Sequence, residues 1–369
     1  MSYTRKQLNR ILKVGKHDLL GSDQLPLSVR VTESFTRRRL FAMEDQAVID
    51  QFALYRQAYR DLRDYADTAA QRAGISQLDM NGDSTQWRRL FLAQAEPRLK
   101  QLGNDVAYQS AKAAMNHYLM GYYGRAWGLR SRLAPNLPVD APTPSRQAIT
   151  QRVLQGHLKE APEPESLLYD LLGVEWRDKY QTALNDLIGK MKASLDGSIQ
   201  DKVMWPEATQ RLATVMGIDD GTSGSFGRVQ TITRTYLMGS SNTGAADLYD
   251  ANRQYLAGVE WYATLGDGRT CPFCLGLHGT VWTLDDPNRL TPPYDSHPLC
   301  RCALIPALIP NTETVPDDEP PALTFTQYVL SLGLAWLLDE LRGRRTDSSR
   351  VGDDEAAEDE FERELEGID

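Results

Sequence analysis

Cysteine is scarce in this chain and is not scattered: there are four in 369 residues, all between positions 271 and 302. Histidine is nearly as rare, with five. No H-E-x-x-H, glycine-rich phosphate loop or nucleophile elbow occurs, which removes the commonest metalloprotease, nucleotide-binding and hydrolase signatures. An H-x-E upstream of P-C-x-x-C, as in zinc deaminases, is missing too, and Thr270 stands where that motif wants proline. Excess positive charge is also lacking. Forty-one Lys and Arg against 50 Asp and Glu leave a net charge of −9, which argues against a general binder of phosphate backbones. The longest apolar run, Val329 to Leu338, is broken by Ser331 and is too short for ~30 Å of hydrocarbon. The opening residues MSYTRKQLNRILK have no apolar core followed by a cleavage site. The expectation is a protein without membrane contact, made in a reducing cytoplasm, where paired cysteines are metal ligands more often than disulfides.

What is present is helical for most of the length. Phe52, Tyr55, Tyr59, Leu62 and Ala66 recur at steps of three and four and share one face of a predicted helix starting near Val48. A second helical region runs from Trp87 to about Leu133, with Pro97 expected to kink or break it. A third covers Val174 to Ile199 and would bury Trp176, Tyr180, Leu184, Leu187, Met191 and Leu195. Proline-rich stretches at Ala134–Arg146 and Ala161–Ser166 suggest a subdivision within 134–165. From about Phe226 to Asn252 another helix is predicted. Its middle, GSSNTGAA, is weak in helix propensity, but its small residues would let another backbone pack closely.

The remaining divisions follow from composition. Residues 1–40 are rich in basic residues (Arg5, Lys6, Arg10, Lys13, Lys16, Arg30, Arg37, Arg38 and Arg39) and read as a solvated arm that could make a weak DNA contact. Residues 41–255 form the helical domain, and 256–310 a small module with strands at Val259–Ala263 and Val281–Trp282 and an extended segment at Ala303–Ile309. Residues 311–322 read as a flexible linker. In 323–345, Phe325, Tyr328, Val329, Leu332, Trp336, Leu337 and Leu341 form an apolar helical stripe that packs either on the helical domain or in a partner's groove. Residues 346–369 are an acidic tail expected to be disordered. The fold class is mainly α: a long helical region followed by a small α+β module stabilised by zinc.

The chemistry lies in that module. Cys271-Pro-Phe-Cys274 and His297-Pro-Leu-Cys300-Arg-Cys302 offer five donors for the four positions of a tetrahedral Zn²⁺. Cys271 and Cys274 are the firmest pair. Cys300 and Cys302 alternate in sequence, so an extended chain would point them apart, and only a bent loop lets both bind. The segment has few large apolar residues, so a structural metal would supply the order its own core cannot. A dithiol oxidoreductase reading of CPFC is weaker, because Leu275-Gly276-Leu277-His278-Gly279 is a poor helix start and no βαβ pattern surrounds it. His278 between glycines reads as a turn residue, and no catalytic centre is evident.

Taken together, R-x-x-T-I-x-R-T (Arg228, Thr231, Ile232, Arg234, Thr235), W-x-A-T (Trp261, Ala263, Thr264), D-x-R-T-C-P-x-C (Asp267 to Cys274) and H-P-x-C-R-C (His297 to Cys302) resemble the phage Mu F-like head morphogenesis family over about residues 225–306. The resemblance implies a non-enzymatic minor head protein located in the virion head. It would assemble in the bacterial cytoplasm and act in head assembly and genome packaging or delivery near the portal. The implied partners are the portal protein and the major capsid or scaffolding protein. It also implies a metal role for the five Cys and His positions and a bracing role for Asp267, Arg269 and Thr270. Two other readings stay open: a metal-dependent nucleic-acid-processing enzyme with an open coordination position beside His278 or Asp267, and a packaging factor that touches DNA through the basic arm.

Overall fold

The computed structural model describes residues 25–80, 82–145, 148–149, 173–263 and 270–342. Among the described residues the long elements that come first are α1 (Leu27–Arg72), α2 (Gly82–Arg130), α3 (Gly173–Gln200), α4 (Trp205–Met216) and α5 (Gly224–Ala251). A 3-10 turn at Arg253–Tyr255 leads into β1 (Leu256–Tyr262), α6 (Pro272–Leu277), β2 (Val281–Trp282) and β3 (Ala303–Leu308). Helices α7 (Phe325–Ser331) and α8 (Ala335–Arg342) follow. Among the described residues no helix is long and apolar enough to cross a membrane.

The chain divides into two compact units, and the long helices α1, α2 and α5 contribute to both. One unit takes Met43–Met115 and Ser145–Leu237, the other Met1–Ala42, Asn116–Pro144 and Met238–Asp369. This differs from the expected division into consecutive segments. A helix of 46 or 49 residues runs past any single core, so the cores divide across the sequence instead of along it.

In the first of these units the predicted aromatic and aliphatic faces are core: Tyr55, Leu62, Ala66, Tyr180, Leu184, Leu187, Met191 and Leu195 are buried. A polar ring is buried with them. Gln51 Nε2 donates to Ser110 Oγ (2.7 Å), and Tyr180 Oη lies 2.7 Å from both Ser110 Oγ and Thr233 Oγ1. Thr233 in turn lies 2.9 Å from Gln51 Oε1. Buried polar groups so paired fix a register among four helices, because any slip leaves one of them unsatisfied. Pro97 does not break α2. Both Pro97 and Ala93, whose carbonyl loses its helical donor, are exposed, so the freed oxygen lies on the solvent side of the helix. Phe91, Ala95, Leu99 and Leu102 stay buried on the inner face.

The second unit contains the start of α1, the ends of α2 and α5, the sheet and the last helices. Helices α2 and α5 meet backbone to backbone, as the small residues of GSSNTGAA suggested. A Cβ on Gly121 would stand 2.0 Å from the Ser241 carbonyl oxygen, and one on Gly244 2.2 Å from that of Tyr118. The solvated-arm reading of 1–40 is corrected from Leu27 onward: α1 begins there, and Val29, Val31, Arg37 and Leu40 are buried. Arg37 tolerates burial because Glu33, one turn earlier, faces its Nε at 3.8 Å, while its Nη2 donates to the Tyr262 carbonyl (3.1 Å). Glu33 also pairs with buried Arg125. Residues 1–24 lie outside the described residues.

The flexible-linker reading of 311–322 is corrected as well. Ala134 N–H donates to Glu313 O (3.0 Å), Val315 N–H to Arg132 O (2.9 Å) and Leu27 N–H to Asp317 O (2.7 Å), so backbone bonds pin the segment. The single apolar helix expected beyond it is two, separated at Gly333, whose φ of 72° ends a right-handed helix. The first begins with a capping box between Thr324 and Gln327. Phe325, Tyr328, Val329, Leu337 and Leu341 are buried in this chain, with Phe325 against Phe35 and Trp127. Leu332 and Trp336 of the same stripe are exposed. The acidic tail lies outside the described residues.

Candidate metal centre

Register builds the centre. In the sheet of order β2-β1-β3, β1 pairs antiparallel with both neighbours. Tyr262 at the end of β1 stands opposite Ala303 at the start of β3. The chain leaving β1 toward Cys271 and the chain entering β3 from Cys302 therefore meet at one end of the sheet. Strand pairing thus draws together the flanks of two half-motifs separated by more than twenty residues of sequence.

Each half is shaped locally. Cys271 caps α6, its Sγ accepting from the Cys274 N–H at 3.4 Å, and Pro272 starts the helix with the φ it needs. A short helix therefore does form at CPFC, contrary to the sequence expectation, because cap and proline outweigh Gly276 and Gly279. In the other half, Cys300 N–H turns back to His297 O (3.2 Å), and Leu299 adopts a positive φ of 62°. This is the bent loop that lets alternating cysteines face one way. Cys274, Cys300 and Cys302 are buried, and Cys271 is half-buried.

All five candidate donors come together. Cys271, Cys274 and His297 place their ligand atoms within 4.8 Å of one another, as do Cys274, Cys300 and Cys302. Cys274 belongs to both sets, with its sulfur 3.2 Å from His297 Nε2 and 3.7 Å from Cys300 Sγ. Two sulfurs bound tetrahedrally at about 2.3 Å from zinc would be about 3.8 Å apart. His297 Nδ1 lies 2.8 Å from the Pro298 carbonyl, which as acceptor requires the proton on Nδ1 and leaves the Nε2 lone pair aimed at the sulfurs. Sulfur and imidazole donors at this spacing fit a zinc-type cation.

Without a cation the five donors do not ionise alike. The Cys274 N–H holds the Cys271 thiol below its ordinary value. The Cys302 thiol pulls Cys300 down to about 5, while the same contact and burial push Cys302 up. Burial, followed by the Cys300 charge, raises Cys274. Burial tends to lower His297, but the Pro298 carbonyl and the Cys300 and Cys271 charges outweigh it and leave the imidazole above its usual value. Several sulfurs so close cannot all ionise without a cation, and a divalent ion would reverse that cost.

His278 stays outside both donor sets. Its Nδ1 accepts from the Ala263 N–H (3.3 Å) and its ring meets Tyr262 edge-on, with burial and then Arg37 lowering its pKa. Asp267 and Arg269 lie outside the described residues. Arg301 stacks over Phe41 at 3.8 Å. In the other unit Arg228 pairs with Asp186, and Arg234 with Glu44 and Asp45, while Thr231 and Thr235 bond back to their own helix. These motif residues hold helices.

Sequence reasoning missed the seat beneath the second half-motif. Asn242, buried on α5, donates from Nδ2 to Pro292 O (2.8 Å) and Cys302 O (3.2 Å). Tyr249 Oη donates to Leu304 O at 3.1 Å. The signal was the small, polar GSSNTGAA, legible as close packing but not as a hydrogen-bonding seat.

No curated protein and no solved structure matches the chain significantly. Residues 195–305 match the family model described as Phage Mu protein F like protein, a phage head-morphogenesis family. That segment runs from the end of α3 into β3 and contains every candidate metal donor together with Asn242. Over this segment, about three-tenths of its length, the chain is similar to the phage Mu F-like proteins.

Proposed function

We propose that this protein is a structural minor head protein of a tailed phage, carried in the virion head, and that its cysteine–histidine centre holds a structural Zn²⁺. The observation that carries the reading is that all five donors converge inside the segment matched by the family model. Zinc would cross-link the α6 turn to the loop entering β3. Cys274 would be a ligand in every arrangement, with three of Cys271, His297, Cys300 and Cys302 completing the shell. Order imposed there would give the sheet end a fixed surface for a neighbouring head protein, with the portal or the major capsid or scaffolding protein as the proposed contact and packaging or delivery of the genome as the process served. A closed shell of protein donors leaves no position for a reacting water, so the role is assembly through protein contacts, without catalysis.

The test has two parts. Purified reduced protein should contain one zinc per chain by elemental analysis. In a phage whose own copy of the gene carries Cys274→Ser, mature heads should lack the protein by mass spectrometry and fall in number. Metal-free protein incorporated at the normal level would overturn the reading.

A further inference from the structure

The loop 292–302 carries His297, Cys300 and Cys302, and both of its ends are tied to one side chain. Asn242 is 3% exposed and sits on α5; its amide nitrogen has two hydrogens, and the two acceptors within reach are the carbonyls of Pro292 (2.8 Å) and Cys302 (3.2 Å). Because both partners are carbonyls, the nitrogen and not the oxygen of the amide must face them. One turn earlier on the same helix, Gly239 admits Tyr294 of the same loop: a Cβ there would stand 2.0 Å from the Tyr294 hydroxyl oxygen. The α5 surface is thus a fitted seat for the ligand-bearing loop, touching it at its start, at Pro292 and Tyr294, and at its end, at Cys302.

We propose that Asn242 is a positioning residue of the metal centre, closing the loop so that its donors face Cys271 and Cys274 before a metal arrives. The proposal rests on the zinc reading above. Turning the Cys302 carbonyl toward α5 leaves the side chain of that residue on the side of Cys274 and Cys300, where it is found. Tying the loop's two ends to one amide removes chain freedom that metal binding would otherwise have to remove, and affinity gained by pre-ordering follows. Groups that orient metal ligands typically change affinity by about 10–100-fold when lost.

The experiment uses the full chain and zinc itself, in competition with a chromophoric chelator, together with the visible spectrum of the cobalt-substituted protein. Asn242→Asp keeps size and shape but presents oxygens to two carbonyl oxygens. Zinc affinity is expected to fall 10–100-fold or more, with faster release to chelator and a changed cobalt spectrum. Asn242→Gln, which retains both donors on a longer stem, should recover part of the loss. A purely structural role would lower thermal stability equally with and without metal and leave affinity alone. If wild-type protein binds zinc and Asn242→Asp binds it within threefold as well, the positioning role is overturned while the zinc reading stands. If wild-type binds none, the zinc reading fails and this one with it. Should Asn242→Asp not fold, Asn242→Ser decides: it removes the paired donors without adding charge, and wild-type zinc affinity in that variant would overturn the proposal.

Discussion

Replacing the five donors by serine one at a time should give an uneven result, and the unevenness follows from geometry. Cys274 is the vertex shared by the two donor sets, with 3.2 Å to His297 Nε2 and 3.7 Å to Cys300 Sγ. Five donors cannot fill four positions, so one of the other four is dispensable while Cys274 is not. Structural zinc sites bind with an apparent ~10–16 kcal/mol, so a single donor accounts for about 2.5–4 kcal/mol if shared evenly among four. That corresponds to roughly two to three orders of magnitude in affinity. Cys274→Ser should therefore weaken zinc by at least that much, and three of the remaining variants should lose a comparable amount. The fifth should bind zinc within about threefold of wild type, since a ligand that never binds contributes little. Chelator competition on the purified, reduced variants measures all five on one scale. Retention of wild-type affinity by Cys274→Ser, or equal losses at every position, would refute the shared-vertex geometry.

Three further outcomes follow from the core. Glu33→Gln leaves the buried guanidiniums of Arg125 and Arg37 without their carboxylate and should cost about 3–5 kcal/mol in denaturant unfolding; a loss below about 1 kcal/mol would contradict the buried ion cluster. Gly121→Ala would stabilise an unencumbered helix by about 1 kcal/mol, but here the new Cβ meets the Ser241 carbonyl oxygen, so destabilisation of about 1–3 kcal/mol is expected and the sign alone decides. Burial raises Tyr55 from 10.0 to about 12, so the folded state keeps a proton that the unfolded chain releases near pH 10. The stability this phenol contributes is intact below about pH 10 and is lost as pH rises toward about 12, by roughly 2–3 kcal/mol. Urea midpoints across that range should fall less steeply in Tyr55→Phe, and an unchanged slope would count against the burial.

The parts legible in sequence are those where chemistry restricts the residue type. Only a few side chains bind zinc, so C-x2-C and H-x2-C-x-C announced themselves, and the 3.6-residue period of Tyr55, Leu62 and Ala66 announced a buried face. The parts that were not legible depend on partners distant in the chain. Arg37 looks like a surface charge until Glu33 and the Tyr262 carbonyl are beside it. The segment 311–322 looks like a tether because its anchors are backbone groups of Leu27, Arg132 and Ala134, and backbone hydrogen bonds leave no mark on composition. Pro97 reads as a break unless its exposed side is known.

Helix α5 shows why the least informative stretch of sequence supports the most. A helix with few large side chains has little apolar area to bury, and GSSNTGAA should be a weak element by that measure. Its small residues instead bring backbone against backbone: Ser241 meets Gly121, and Gly244 meets the Tyr118 carbonyl. On the loop-facing side, Gly239 and Asn242 accept Tyr294 and the carbonyls of Pro292 and Cys302. Contacts of that kind are directional and short, and they tolerate no slippage, but they contribute little hydrophobic stabilisation. The loop they position buries Pro292, Pro293, Cys300 and Cys302 but no large aliphatic side chain. A cation binding at its far side would supply the missing free energy without adding a large side chain that would push α5 and the loop apart. On the zinc reading proposed above, the seat would supply geometry and the metal energy, so weakening either one should be felt as a loss at the other.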